Sequence, residues 1–209
     1  MEVRIIYLIK KKFFKKLKKK KIEINSINFQ FDPEYCSSNL ILDNDFTSVK
    51  KNNLQHGIVF CKQNLDDYSP YIEFKINIET PLKGKGNLYI GLVDKSKSKP
   101  QLLSSKFWKD TPLSYYWNVW GTQLIKINEM GIQSGSVKGY GCQCEDFETY
   151  IGIKYEHVSR SVSFYKNGIN LGVAFRNVQS GLTPVLDIWF EKGTVFIKNN
   201  AVCEEKKFL

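Results

Sequence analysis

The chain has 209 residues, 42% of them hydrophobic and 14% aromatic, enough for one domain with a real core and too few for a second of any size. Its formal charge of +10 is almost entirely local: residues 1–21 carry Arg4 and nine lysines against Glu2, while the rest of the chain nearly balances. A basic footprint spread over the folded part is therefore excluded, and any such footprint belongs to the leader.

Within the leader, Ile6, Ile9, Phe13 and Leu17 fall at helical spacing among the lysines. That pattern fits a basic amphipathic helix that lies on an anionic membrane, docks in a partner's groove or serves as a nuclear-import signal. Repulsion among the lysines fits a disordered extension as well, and packing against the domain is a further arrangement. No stretch approaches the ~20 apolar residues that span a bilayer. The expected boundaries are a leader at 1–26, a sandwich at 27–200 and a tail at 201–209.

From Ile27 the texture changes to short alternating runs separated by Asn, Asp, Ser, Gly and Pro. Phe29 and Phe31 alternate before Asp32-Pro33, and Leu40-Ile41-Leu42 precedes Asp43-Asn44-Asp45. Ile72, Phe74, Ile76 and Ile78 alternate with Glu73, Lys75 and Asn77, which places one face of a strand on a core. Leu88 to Val93 is almost continuously apolar with Gly91 inside it, the mark of a strand buried on both faces or closely approached by another backbone. Trp117 stands in an alternating strand and belongs to the core. Residues 94–112 and 128–140 read as irregular loops, and loops on a rigid sandwich are where binding residues concentrate.

Residues 150–197 carry the clearest signals. Val162 to Tyr165 and Ile169 to Phe175 flank Asn167-Gly168, a dipeptide that tolerates the positive φ of a type I′ turn, so the chain doubles back there. Pro184 to Phe190, Lys192-Gly193 and Thr194 to Ile197 read as a second strand pair joined by a glycine turn. Many short strands and no long helical period after residue 22 predict an all-β, two-sheet antiparallel β-sandwich.

Catalytic chemistry is scarce. The only histidines are His56 and His157, and His157 with Glu156 and Ser159 is too local along the chain for triad geometry. The glycine-rich stretches lack phosphate-loop order, the acid pairs Asp43/Asp45 and Asp66/Asp67 fit turn caps, and Cys142-Gln-Cys144 has no second pair to complete a metal site. Five cysteines without paired spacing, and no signal-peptide pattern, predict free thiols in a reducing, cytoplasmic setting, with the nucleus open through the leader. No enzyme and no cofactor are expected.

The order of these segments resembles the SPRY domain: YIEFKI, an IGL segment, SYYWNV, a GYG segment, IGIKYE, VSFYKNGINLGVAF, then GLTPVLDIW with a closing GTVFI, from Tyr71 to Ile197. Phe31 to Lys51 is similar to the PRY subdomain that precedes SPRY in tripartite-motif ubiquitin ligases. Ile72 stands where many relatives carry Trp. The resemblance implies a module that binds a peptide or loop of a partner protein through loops at one end, and an adaptor role that would need another subunit to reach the ubiquitin machinery. The expected partner-binding residues are Lys83 and Lys85 after the IEFKINI strand, Trp108 and Trp120 in the central loops, and Arg176 after VAF. Two rival readings are a membrane or nucleic-acid tether acting through residues 1–21, and a carbohydrate-binding sandwich, whose architecture is shared but whose function fold alone does not carry.

Overall fold

The computed structural model describes residues 28–79, 87–97, 113–128, 130, 132–141, 147–199 and 201. Fourteen strands are described: β1 Phe31–Cys36, β2 Ile41–Leu42, β3 Ser48–Asn52, β4 Gly57–Cys61, β5 Tyr71–Ile78, β6 Leu88–Val93, β7 Ser114–Asn118, β8 Gln123–Ile127, β9 Gln133–Lys138, β10 Glu148–Glu156, β11 Ser161–Lys166, β12 Ile169–Phe175, β13 Thr183–Ile188 and β14 Lys192–Ile197. They form two antiparallel seven-stranded sheets, in the orders β1-β4-β13-β6-β7-β8-β9 and β12-β11-β10-β5-β14-β3-β2.

The sheets differ in how their faces are used. In the second sheet β5 alternates as its sequence predicts: Ile72, Phe74, Ile76 and Ile78 are buried, while Glu73, Lys75 and Asn77 are not. Outward groups there pair with each other, as Lys75 does with Glu148 at 2.8 Å. In the first sheet β4, β7 and β13 are buried at every position. Val59, Cys61, Leu186, Ile188, Tyr115 and Trp117 point into the core between the sheets. Their neighbours Ile58, Phe60, Val185, Tyr116, Ile125 and Ile127 form a second apolar cluster on the other face. Strands buried on both faces read as continuous apolar runs, which is why no period is visible in GIVFC or TPVLDI.

Gly91 meets the close approach its context predicts: a Cβ there would lie 2.2 Å from the backbone oxygen of Tyr115 on β7. Trp117 is fully buried, 5.5 Å from the ring of Phe164 across the core. The β11–β12 hairpin forms as read, with Asn167 at φ 51° and Gly168 at φ 78°. The Asn167 side chain also accepts hydrogen bonds from the backbone N–H of Tyr150 at 2.9 Å and the Thr149 hydroxyl at 3.2 Å, fastening the turn to β10. Asn199 brackets Phe29, accepting its N–H at 2.8 Å and donating to its carbonyl at 3.1 Å, so the two ends of the domain are joined.

Two expectations are corrected. β13 and β14 do not pair with each other: β13 lies between β4 and β6 in the first sheet, β14 between β5 and β3 in the second, so residues 189–191 cross between sheets. Gln133 to Lys138, expected in a loop, forms edge strand β9 against β8, although its glycine and serine content hides any alternation. The leader, Cys142, Cys144 and Cys203 lie outside the described residues. Among the described residues no helix is long and apolar enough to cross a membrane, and no three His, Cys, Asp or Glu side chains gather as metal ligands.

Candidate functional site

Register fixes what each end of the sandwich presents. Ile188 lies opposite Gly57, and Asp187 lies opposite both Ile58 and Tyr89. Continuing that ladder by one residue sets Trp189 opposite His56, at the end where the chain crosses from β13 to β14. The β3–β4 connection (residues 53–56) and the β7–β8 turn (residues 119–122) open at this same end. Connections 62–70 and 176–182 open at the other.

At the Trp189 end, the His56 and Trp189 rings stack, centroids 4.5 Å apart and planes 11° from parallel. Trp189 retains 36% of its surface, and its backbone N–H donates to the Asn87 carbonyl at 2.8 Å, so the strand end that carries the ring is held. Next to the rings lies Asp187, whose side chain is wholly buried. His56 Nδ1 approaches Asp187 Oδ1 at 3.5 Å, and neither oxygen has a hydrogen-bond partner. Burial pushes the Asp187 carboxyl pKa up, and the attraction of His56 and Trp189 opposes that push without cancelling it. Tyr89, across the ladder, is raised by burial and by the Asp187 charge.

Lys51 on β3 is buried at the same end of the other sheet and donates to the Asn53 carbonyl; desolvation lowers its ammonium pKa, opposed by Glu191 in the crossing segment. Leu54 is 80% exposed two residues before His56. The end therefore offers an exposed aromatic at the end of β13 and an exposed aliphatic side chain in the β3–β4 connection, beside buried groups of both signs.

Of the residues singled out in the sequence, Trp120 belongs to this end. It is half-buried, its ring edge-on to Phe190 at 6.2 Å and its indole nitrogen buried without a partner, so it props the crossing segment rather than projecting from it. Arg176 is exposed in the connection after β12, at the opposite end. Lys83, Lys85 and Trp108 lie outside the described residues. The structure thus does not bring Trp120 and Arg176 together.

At the opposite end a cavity of about 470 Å³ is lined by Tyr35, Lys62, Asn64, Asp94, Lys95 and Thr183 among others. Its charges are largely answered within the fold: Lys95 pairs with Asp32 and covers the Tyr35 ring at 4.3 Å, Lys97 reaches Asp94 at 3.6 Å, and Thr183 bonds Asn64 at 2.6 Å. One acid of each pair named from sequence caps a turn: Asp66 accepts the N–H groups of Tyr68 and Ser69, and Asp45 accepts the N–H and the hydroxyl of Thr47. His157 pairs with Asp67 at 2.6 Å on the surface.

His56, Asp187 and Trp189 as a site escaped the sequence reading. The available signal was an acid inside an otherwise apolar strand, PVLDIW, with an aromatic two residues on; the imidazole that meets the acid lies 131 residues earlier, and only the register of β4 against β13 reveals it. The group can hold a ligand but has no nucleophile for covalent work. Cys36, the half-buried thiol, sits elsewhere and is pushed up to about 12 by burial.

The family model of the SPRY domain matches residues 71–200. No curated protein matches the chain in sequence. Among solved structures, the SPRY domain of human HERC1 is similar with a TM-score of 0.59 at 16% identity, over 82% of this chain and 99% of that one. Another human SPRY domain gives 0.60 at 20% identity, over 82% and 98%. The NHR1 domain of Drosophila melanogaster Neuralized gives 0.52 at 14%, over 82% and 98%. At such identities the likeness is one of fold. The family match begins at Tyr71 and does not include residues 31–51, although that stretch supplies strands to both sheets.

Proposed function

This chain belongs to the SPRY-domain family, and from that premise we propose that its sandwich binds a peptide or exposed loop of a partner protein at the end that carries Trp189. SPRY domains are in general protein-interaction modules without catalytic activity. The observation that carries the proposal is the Trp189–His56 stack, a large aromatic left part-exposed on a held strand end beside a buried acid. Exposed Leu54 adds apolar surface, and Trp120 behind Phe190 keeps the platform rigid. A preformed site avoids much of the ordering cost of association, ~0.5–1.5 kcal/mol per immobilised side chain. We read residues 31–51 as a PRY-like part of the same module, and the whole as the recognition half of an assembly whose other subunits act on the bound protein.

Selection of random peptides on the full chain tests this reading. An enriched peptide should lose about 2 kcal/mol or more of affinity on Trp189→Ala, the behaviour of an aromatic hot spot. Equal binding by wild type and Trp189→Ala places the site elsewhere. Trp120→Ala, Arg176→Ala and the Ala variants of Lys83, Lys85 and Trp108 run beside it; a loss confined to Arg176→Ala assigns binding to the opposite end. A second reading rests on the charge of residues 1–21, which fits tethering to an anionic membrane or to nucleic acid.

A further inference from the structure

The geometry points to Asp187 as the floor of a subsite for an arginine side chain of the bound partner, a place that His56 occupies in the unliganded protein. This rests on the peptide-binding reading above and specifies what the peptide carries.

The starting point is a carboxylate with no hydrogen bond. Asp187 is wholly buried, both oxygens lack hydrogen-bond partners, and the imidazole nitrogen facing it, His56 Nδ1, stands 3.5 Å away. Buried polar groups are ordinarily satisfied, and one that is not calls for an explanation. Of the groups packed around Asp187, Ile58 on β4 is apolar, Tyr89 on β6 is a phenol that burial holds from ionising, and the pull of His56 and Trp189 on the carboxylate does not overcome its burial.

What would satisfy it is set by the shape of its cover. The imidazole of His56 is a flat ring with an N–H edge, stacked on the Trp189 indole with that edge toward the acid. A guanidinium is also flat, stacks on indole faces and carries N–H groups in a fork that meets both oxygens of a carboxylate at once. His56 can offer only one N–H to one oxygen; a guanidinium in the same slot offers two, and it is always charged. Lysine brings a compact point charge that neither stacks nor forks, so the slot discriminates against it. His56 is able to leave because it is the last residue before β4, in the connection of residues 53–56, with its side chain still 18% exposed, whereas Asp187 and Trp189 are fixed by the β13 ladder and the bond to Asn87.

The test uses the full chain and peptides selected on it from a random library. The expected result is a consensus with arginine at one fixed position; replacing that arginine by citrulline, its neutral isostere, weakens binding at least tenfold, and replacing it by lysine weakens it nearly as much. In Asp187→Asn the arginine and citrulline peptides bind alike. His56→Ala empties the slot, so it should bind the arginine peptide severalfold more tightly than wild type, and it decides the matter if Asp187→Asn does not fold. A consensus without a fixed arginine, an unchanged citrulline effect in Asp187→Asn, or unchanged or weaker binding by His56→Ala overturns the subsite and leaves the peptide-binding module standing. Enrichment of no peptide at all overturns the module and the subsite together.

Discussion

Asp187 is kept at a cost to the fold, and the sign of that cost can be worked out from its raised pKa. Because burial lifts the folded-state value above the ordinary carboxylate value of 3.8, the native state binds a proton more readily than the unfolded chain does. Stability therefore falls as pH rises from about 3.8 through the folded pKa, and the full penalty is present at neutral pH. Asp187→Asn keeps the shape and removes the charge. At pH 7 it should be more stable than wild type by on the order of 1 kcal/mol, since a buried polar group without a hydrogen bond costs about 1–3. Near pH 4 the advantage should shrink toward zero. Denaturant melts at the two pH values check this, and an advantage that grows on acidification would show that Asp187 is stabilised as an anion. That a fold should carry such a group while an asparagine would stabilise it is what a binding role predicts. At this scale the sequence was least legible: Trp117 reads as core from its alternation, but the meeting of Asp187 with His56 depends on a ladder between distant strands.

Elements were legible where the local pattern decides them. The alternation of β5, the Asn167-Gly168 turn and the doubly buried β6 with its glycine all follow from period and turn chemistry, and all are present. The partner of each strand does not follow. A glycine turn between two apolar runs is the same signal whether the second run pairs with the first or crosses to the facing sheet, and residues 189–191 cross. The discriminating clue was the burial of β13 on both faces, which needs neighbours on both edges and a layer on either side. β9 went unseen because an edge strand with one apolar residue, Val137, among Gln, Ser, Gly and Lys has no apolar face to alternate. Gly91 tests the packing of β6 against β7: the Cβ of Gly91→Ala would meet backbone, not a side chain that can turn aside. Overpacking of this kind costs about 1–3 kcal/mol, and a backbone clash belongs at or beyond the upper end. A drop of that size in thermal or denaturant stability is expected. A loss under ~0.5 kcal/mol, as for an ordinary surface change, would mean that the two strands can part without penalty.

For the whole molecule, the separation of charge from fold is the organising feature. Residues 1–21 hold a net +9 and the remainder almost none, so the proposed peptide site and any long-range attraction by the lysines would reside in different parts of one chain. The two are separable in experiment because their salt responses differ. Binding of the full chain to single-stranded RNA should weaken steeply with salt, each phosphate contact contributing a slope of about 0.7 in log K against log salt. Replacing Lys15, Lys16, Lys18, Lys19, Lys20 and Lys21 by Gln should flatten that slope by up to about 0.7 per lysine removed. Peptide binding at the Trp189 end should not change with the same substitutions, because the contacts there are a stacked aromatic and a buried acid, which salt screens far less than exposed charge. An unchanged RNA slope would place the basic footprint outside the leader, against the near-neutral balance of the rest of the chain. A parallel loss of peptide affinity would mean that the leader and the Trp189 end form one site, with the lysines acting on the peptide directly.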